Sequence, residues 1–178
     1  MTNKWVDRVF EFDFPVTAYP GLMQRLRETP DRLETIIRSI PQKLLTIKDS
    51  GRWSIQENAG HLLTVEELFA GRLSDYENKK AVLRPADVSG SRTNQMNYNS
   101  GDINDILQNF RAKRMIYIAR LESVDSELFA ESILHPRLNK PMRLCDMLFF
   151  QAEHDEHHIR KIEVLGRKLI STNRHTEK

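Results

Sequence analysis

Three of the six histidines of this chain lie in the stretch QAEHDEHHIRKIEVL, residues 151–165. At about 100° per residue this stretch forms a helix, with His154 and His158 on its apolar face and His157 toward the edge. Imidazoles at positions i and i+4 have Cβ atoms about 6 Å apart, which suits two nitrogen ligands of one divalent metal ion. A buried histidine with one hydrogen bond is the alternative interpretation. The apolar face comprises Leu144, Met147, Gln151, His154, His158, Ile162, Leu165 and Leu169.

A third histidine, His61, is predicted on the inward face of another helix. It could be an ordinary core residue, since its neighbours on that face are mostly apolar. Three buried imidazoles without partners are costly, however, and one metal ion would satisfy all of them. The sequence therefore predicts a metal site formed by His61, His154 and His158. The inward face of the second helix comprises Asn58, His61, Val65, Leu68, Phe69, Arg72 and Tyr76.

The composition is that of an ordinary globular domain. Of 178 residues, 39% are hydrophobic and 29% are charged, and the net charge is +2. This length is sufficient for one domain with a real core, and the charge balance predicts no nucleic-acid or membrane partner. The single cysteine, Cys145, excludes an internal disulfide, and we expect it to pack without carrying chemistry. No apolar segment has the length of a signal peptide or a bilayer span, so we expect a cytoplasmic protein.

Hydrophobic periodicity and turn residues predict four substantial helices and no sheet. Ser54 and Glu57 form an S-x-x-E capping box at the start of one of them. Pro30 is interpreted as a first-turn residue of a helix that Pro41 ends. An antiparallel bundle is the natural arrangement for such helices. The predicted segments are a short amphipathic piece at 21–28, helices over 30–40, 54–78, 102–123 and 142–169, and loops over 82–100 and 134–141.

Both ends of the chain are expected to lie outside the bundle core, which we place at about residues 20–170 of a single domain spanning 1–178. Residues 1–19 contain Phe10, Phe12 and Phe14 in alternation with acidic residues. A single strand would have no partner there, so an arm packed on the bundle is predicted. Residues 171–178 are predicted to form a polar tail.

The order and spacing of these motifs resemble those of the DinB/YfiT-like superfamily of bacterial helical bundles that bind metals. The pattern W-S-x-x-E-x-x-x-H-L is followed far downstream by H-x-x-H-H at residues 154–158. The resemblance extends from Pro30 to Leu169 and includes the long loop before the third main helix. The residues that match the first motif are Trp53, Ser54, Glu57, His61 and Leu62.

The resemblance implies an all-α fold, an up-down-down-up four-helix bundle, with His61, His154 and His158 as metal ligands. Members of the superfamily include metal-dependent hydrolases, transferases that use low-molecular-weight thiols such as bacillithiol or mycothiol, and a domain of ergothioneine-synthesis enzymes. Many carry glutamine in the turn after the histidine pair, where this chain has Lys161, so the subgroup stays open. Because the family often pairs its bundles, a homodimer is also an expectation.

Three neutral histidines would leave a divalent ion with at least one open position, as in catalytic zinc sites. The ion could lower the pKa of water to about 7 or activate a substrate thiolate. Zinc or nickel is the expected metal, because magnesium and calcium prefer oxygen ligands. The leading hypothesis is a hydrolase or a thiol transferase with a small-molecule substrate. The alternatives are a metal-binding module without catalysis and a bundle whose histidines are core residues.

Three other residues are candidates for catalysis: Glu57, Arg114 and Gln151. Glu57 lies one turn before His61 and either orients that ring or only closes the capping box. Gln151 shares the face of the histidine pair and could hydrogen-bond a ligand or substrate. Arg114 interrupts the apolar face of the third helix, where it either pairs with Glu57 or binds the carboxylate of an anionic substrate. Arg72 has the same two interpretations, and for both arginines we favour a structural pair or a snorkelling side chain.

The remaining polar residues near the motif are predicted to be solvated. Glu153, Asp155 and Glu156 point away from the histidine face and are interpreted as its exposed side. His135 and His175 are interpreted as surface residues.

Overall fold

The computed structural model describes residues 5–176, and side chains up to residue 174. Four long helices form a bundle, and a small hairpin and several short turns connect or flank them. The helices are α1 (Tyr19–Arg38), α2 (Ile55–Glu77), α3 (Ser91–Gln95), α4 (Ile103–Ser123) and α5 (Leu144–Thr176), and the strands are β1 (Ser132–His135) and β2 (Lys140–Arg143). None of these helices is long and apolar enough to span a bilayer.

Ion pairs between the helices define their directions. Residue numbers rise together along α1 and α5, and also along α2 and α4, so each of these pairs is parallel. The other neighbours run antiparallel: ion pairs join α1 to α4, and contacts of His154 and His158 join α5 to α2. This is the predicted up-down-down-up bundle, with α1 and α5 in one direction. The parallel pairs are marked by Arg25–Glu153 and Arg32–Glu163 between α1 and α5, and by Glu66–Arg114 and Glu77–Arg120 between α2 and α4.

The core consists of two apolar clusters with polar residues between them. One cluster lies at the end of the bundle near Leu26, Phe69 and Leu121, and the other near Leu33, Leu62 and Ile162. The side chains between the clusters form a polar layer that is buried except for His61, which is partly exposed. It contains His61, His154, His158, Glu66, Arg114 and Asp155.

Helix α1 is continuous through Pro30, so the prediction of two separate pieces is wrong. A proline inside a helix has no N–H to donate to the carbonyl four residues earlier, here that of Leu26. In this protein Nη1 of Arg114 donates to the Leu26 carbonyl at 2.9 Å. The missing hydrogen bond is therefore replaced from another helix, which a local sequence pattern does not reveal.

The segment predicted as a loop over 134–141 belongs to an antiparallel hairpin, in which Ile133 pairs with Met142. Both of these side chains are buried, so the hairpin has an inner face. Its β1 strand also receives a hydrogen bond from Leu83 N at 3.0 Å. The hairpin thus covers one end of the bundle, and the expectation of no sheet needs this small correction.

The boundaries of α2 and α4 agree with the predictions, and Ser54 and Glu57 form both hydrogen bonds of the capping box. The long loop over 82–100 contains the short helix α3. Helix α5 continues to Thr176, beyond the predicted end at 169, so the helix includes most of the expected polar tail. The N-terminal arm packs on the bundle as expected, and the ring centroids of Phe10 and Phe150 are 4.9 Å apart.

Gly60 is expected to be intolerant of a side chain, because a Cβ there would lie 2.2 Å from the ring of Tyr98. Tyr98 is buried, and its hydroxyl lies 2.8 Å from that of Thr64. We expect Gly60→Ala to lower the free energy of unfolding by about 1–2 kcal/mol, as overpacking outweighs the better helix propensity of alanine. Gly21→Ala in α1 is the matched control, since no atom lies within 4 Å of its Cβ. That control should gain about 0.5–1 kcal/mol in urea unfolding, and a neutral Gly60→Ala would contradict the expectation.

Candidate metal centre

The antiparallel packing of α2 on α5 brings His61 against His154 and His158. Nε2 of His61 lies 3.2 Å from Nε2 of His154, and one ring nitrogen of each histidine lies within 4.8 Å of the others. His154 and His158 are buried, while His61 is partly exposed. No cysteine, aspartate or glutamate of the described chain joins this nitrogen cluster. The three residues predicted from helix faces are thus adjacent in the structure.

Two of the three imidazoles are oriented by hydrogen bonds on Nδ1. Asn58 Nδ2 donates to the Ser54 carbonyl at 2.8 Å, which identifies the other amide atom as the oxygen. That Oδ1 lies 2.9 Å from Nδ1 of His158, which must therefore carry the proton. The lone pair of His158 is then on Nε2, where a metal ion would need it.

Thr93 performs the corresponding role for His61. Its hydroxyl lies 2.9 Å from Nδ1 of His61, and its side chain, on α3 within the long loop, is buried. The sequence prediction placed Asn58 on the correct face without a role and missed Thr93. Only the tertiary position of the loop connects Thr93 to the cluster.

The histidine cluster is uncharged at neutral pH. Burial and, to a smaller extent, the charge of Lys161 lower the pKa of His61 to about 4. Burial also holds the pKa values of His154 and His158 well below 6.5, and the neighbouring imidazoles add to this effect. Neutral imidazoles are the form that binds metal ions, so the site is ready to accept a divalent cation without first losing protons.

A cavity of about 490 Å³ adjoins the cluster, and all three histidines form part of its wall. Other parts of the wall are apolar and aromatic, including Trp5, Trp53 and Phe69. His157 also lines the cavity, half-buried, with its ring 5.5 Å from that of Trp5. It is not a member of the nitrogen cluster, as predicted.

The structure separates the three catalytic candidates from the cavity. Glu57 forms the capping box and an ion pair with Lys48 at 2.8 Å, and Thr93 rather than Glu57 contacts Nδ1 of His61. Gln151 is fully buried, both of its amide atoms lack hydrogen-bond partners, and it is not among the residues that line the cavity. Arg114 is also absent from the cavity wall.

Arg114 belongs to a structural cluster of ion pairs, which confirms the favoured interpretation. The prediction that Glu57 is its partner is wrong. Its guanidinium contacts Glu66 at 2.6 Å and Asp155 at 2.8 Å, and the side chain of Arg114 is 0% exposed. Asp155 is buried as well, so its assignment to a solvated face is wrong. Helix α5 packs against both α1 and α2, and its buried sector is therefore wider than one apolar stripe.

Two further predictions need correction. His135 was expected on the surface and is 2% exposed. Arg72 was expected in a structural pair or snorkelling, yet it is 1% exposed, and no carboxylate of the described residues forms an ion pair with it. Cys145 is buried as expected, and the side chain of His175 lies outside the described residues.

The fold and the site together define a class of protein. It is a four-helix bundle with both parallel and antiparallel neighbouring helices and a cluster of three histidines that faces inward. The chain belongs to the DinB superfamily, whose sequence profile matches residues 25–162. No curated protein sequence matches the chain.

Solved structures share the fold at low sequence identity. YfiT from Bacillus subtilis, described as a probable metal-dependent hydrolase with an unusual four-helix bundle topology, matches with a TM-score of 0.79 and 18% identity over 91% of this chain and 93% of that one. The mycothiol-dependent maleylpyruvate isomerase matches with a TM-score of 0.65 and 8% identity over 84% of this chain and 61% of that one. A protein from Streptococcus pneumoniae matches with a TM-score of 0.65 and 13% identity over 92% and 93% of the two chains.

Proposed function

We propose that this protein is a divalent-metal-dependent enzyme that acts on a small molecule, as a hydrolase or as a transferase that uses a low-molecular-weight thiol. One observation carries the proposal. Three neutral imidazoles converge at the wall of a cavity, and no fourth protein ligand of the described chain closes the set. Catalytic zinc sites have three protein ligands and an open position, whereas structural sites have four.

The donor set fits a transition metal. Nitrogen ligands favour zinc, nickel and related ions over magnesium and calcium, and zinc or nickel is our proposed metal. His61, His154 and His158 would hold it. When bound, such an ion supplies a Lewis acid that lowers the pKa of a coordinated water or thiol.

The other residues of the centre would position the ligands and shape the cavity. Asn58 and Thr93 hold the rings of His158 and His61, so little reorientation is needed when an ion binds. The cavity wall contains one carboxylate of the described chain, Asp87, and both of its oxygens accept hydrogen bonds from residues 89–92. It is therefore poorly placed as a general base, which favours activation of the nucleophile by the ion itself.

Two of these structural neighbours support the use of a metal and of a low-molecular-weight thiol, since one is described as a probable metal-dependent hydrolase and the other as a mycothiol-dependent isomerase. Lys161 lines the cavity beside the cluster, and its charge lowers the pKa of all three histidines. A cation at this position would favour the anionic form of a nucleophile or substrate.

The test is the response of the cobalt-substituted protein to a small thiol. We expect cobalt to give a visible spectrum and 2-mercaptoethanol to add a thiolate-to-cobalt charge-transfer band, because the open position accepts a thiolate. Hydrolase and thiol-transfer substrates would then be screened on the zinc and nickel forms. A cobalt spectrum that neither thiol nor azide changes would indicate a closed, non-catalytic metal module. Absence of cobalt, zinc and nickel binding would overturn the proposal.

A further inference from the structure

Arg72 is a buried cation that forms no ion-pair contact in the described chain, because the nearby carboxylate of Asp75 is paired with Arg84. Its Nε donates to the Arg84 carbonyl at 3.2 Å, and Nη1 contacts the sulfur of Met147 at 3.7 Å. Its Nη2 is buried without a hydrogen-bond partner. Burying a charge without a hydrogen-bonded partner is costly, and an anion bound at Nη2 would relieve that cost.

His135 supplies a second donor of the same kind. The backbone N–H of Leu138 donates to Nδ1 of His135 at 3.2 Å, so the proton of the neutral ring must be on Nε2. This Nε2–H is buried and has no acceptor. Burial and the nearby charge of Arg72 lower the pKa of His135 to about 4, which keeps the ring neutral and Nε2 a donor.

Both residues line the cavity that contains the histidine cluster. Arg137, on the turn of the hairpin, lines it too and is exposed, and its Nη1 donates to the carbonyl of Val6 in the N-terminal arm. Arg72, Arg137 and Lys161 give the cavity three cations, and Asp87 is the one carboxylate that the described residues contribute to its wall. The site is therefore complementary to an anion.

We propose that Arg72 and His135 form a carboxylate-binding subsite, and that the cavity takes a small organic acid with an apolar body. Two N–H donors match the two oxygens of a carboxylate, and the apolar wall of Val65, Leu68 and Phe69 matches a hydrocarbon portion. The proposed binding of the acid depends on Arg72 and His135 and not on a metal ion. A role of the acid as substrate rests on the proposed metal-dependent function.

Phenylacetate and its neutral isostere phenylacetamide are the probes, because they differ in the carboxylate alone. Both tryptophans of the chain, Trp5 and Trp53, line the cavity, so intrinsic fluorescence reports its occupancy. We expect phenylacetate to bind at least tenfold more tightly than phenylacetamide. Arg72→Met should remove that preference while binding of the amide stays within about twofold. Arg72→Lys should restore part of it, because lysine keeps the charge but not the planar geometry.

The metal-free His158→Ala protein distinguishes this subsite from the metal centre. We expect it to keep the preference for phenylacetate, because Arg72 and His135 do not depend on the ion. Loss of the preference in His158→Ala with no effect of Arg72→Met would mean that the acid binds at the metal, and the subsite proposal would fail. Equal binding of acid and amide, or no saturable binding of the acid, would overturn it whether or not the protein binds a metal.

The unfolding temperature of Arg72→Met shows whether the variant is folded, which the binding test requires. Methionine has a similar length and carries no charge, so the variant should unfold at a temperature equal to or above that of the parent. A strongly destabilised Arg72→Met protein would mean that Arg72 holds the fold through the Arg84 carbonyl and Met147, which contradicts a side chain reserved for a ligand.

Discussion

The variant His158→Ala is expected to bind zinc or nickel at least a hundredfold more weakly than the parent protein. Removing a residue that only orients a metal ligand typically weakens binding by about 10- to 100-fold, and removing a ligand should weaken it more. The cluster contains three imidazoles and no fourth donor of the described chain, so no side chain is in place to supply the lost nitrogen. The double variant His154→Ala/His158→Ala should retain no stoichiometric metal.

The neighbouring histidine provides a matched control. His157 is on the same helix and is half-buried, and its ring centroid lies 5.1 Å from that of His158. It is not part of the nitrogen cluster. We therefore expect His157→Ala to keep the metal with affinity within about threefold of the parent. Asn58→Ala should fall between the two, with a loss of about 10- to 100-fold, because it only orients His158.

Metal content by elemental analysis and competition against a chelator of known affinity measure these effects. The parent should contain about one equivalent of transition metal per chain, and the order of affinity should be parent, His157→Ala, Asn58→Ala, His158→Ala. An equal loss in His157→Ala and His158→Ala would contradict the assignment of ligands. A parent that takes up neither zinc nor nickel would mean that the three histidines are core residues.

Helical periodicity was sufficient to predict this cluster because each histidine lies on the main buried face of a long helix. His61 and His154 approach each other only if α2 and α5 pack with their apolar faces together, and four amphipathic helices leave few other arrangements. Capping chemistry in turn located the start of α2 within one residue, since the Ser54 and Glu57 hydrogen bonds are local. These features depend on short-range patterns, which a sequence displays directly.

The residues that the sequence did not reveal all depend on contacts distant in the chain. Pro30 lies inside a helix because Arg114 supplies a donor to the Leu26 carbonyl. His135 is buried because the β1–β2 hairpin folds over the end of the bundle, and the sequence of this segment shows no clear strand pattern. Asp155 is buried because α5 packs against two helices, a fact that no helical projection of α5 alone contains.

Arg114→Met is expected to lower the free energy of unfolding by about 3–5 kcal/mol, the largest stability effect of any single change considered for this protein. The reason is that the substitution leaves two buried carboxylates without their counterion. Glu66 accepts three hydrogen bonds from Arg114, and Asp155 accepts one, and the three side chains are at most 2% exposed. Without the guanidinium, two buried acids must either remain ionised without a counterion or take up protons.

An exposed arginine on the same helix is the control. Arg111 pairs with Asp31 and Glu34, and its side chain is 38% exposed. Solvent screens such pairs, so Arg111→Met should change the free energy of unfolding by less than about 1 kcal/mol. Urea unfolding of both metal-free variants at neutral pH compares them directly. A loss below about 1 kcal/mol for Arg114→Met would mean that water or a rearranged side chain compensates the carboxylates.

Removing the whole charge cluster should recover most of that loss, because a well-packed apolar set avoids the desolvation of three ions. We expect the triple variant Arg114→Met/Glu66→Leu/Asp155→Leu to be more stable than Arg114→Met alone, but the Leu26 carbonyl would still lack its donor. Adding Pro30→Ala would supply an N–H to that carbonyl from within α1. A larger gain from Pro30→Ala in the triple variant than in the parent would therefore show that Arg114 replaces the hydrogen bond that proline removes.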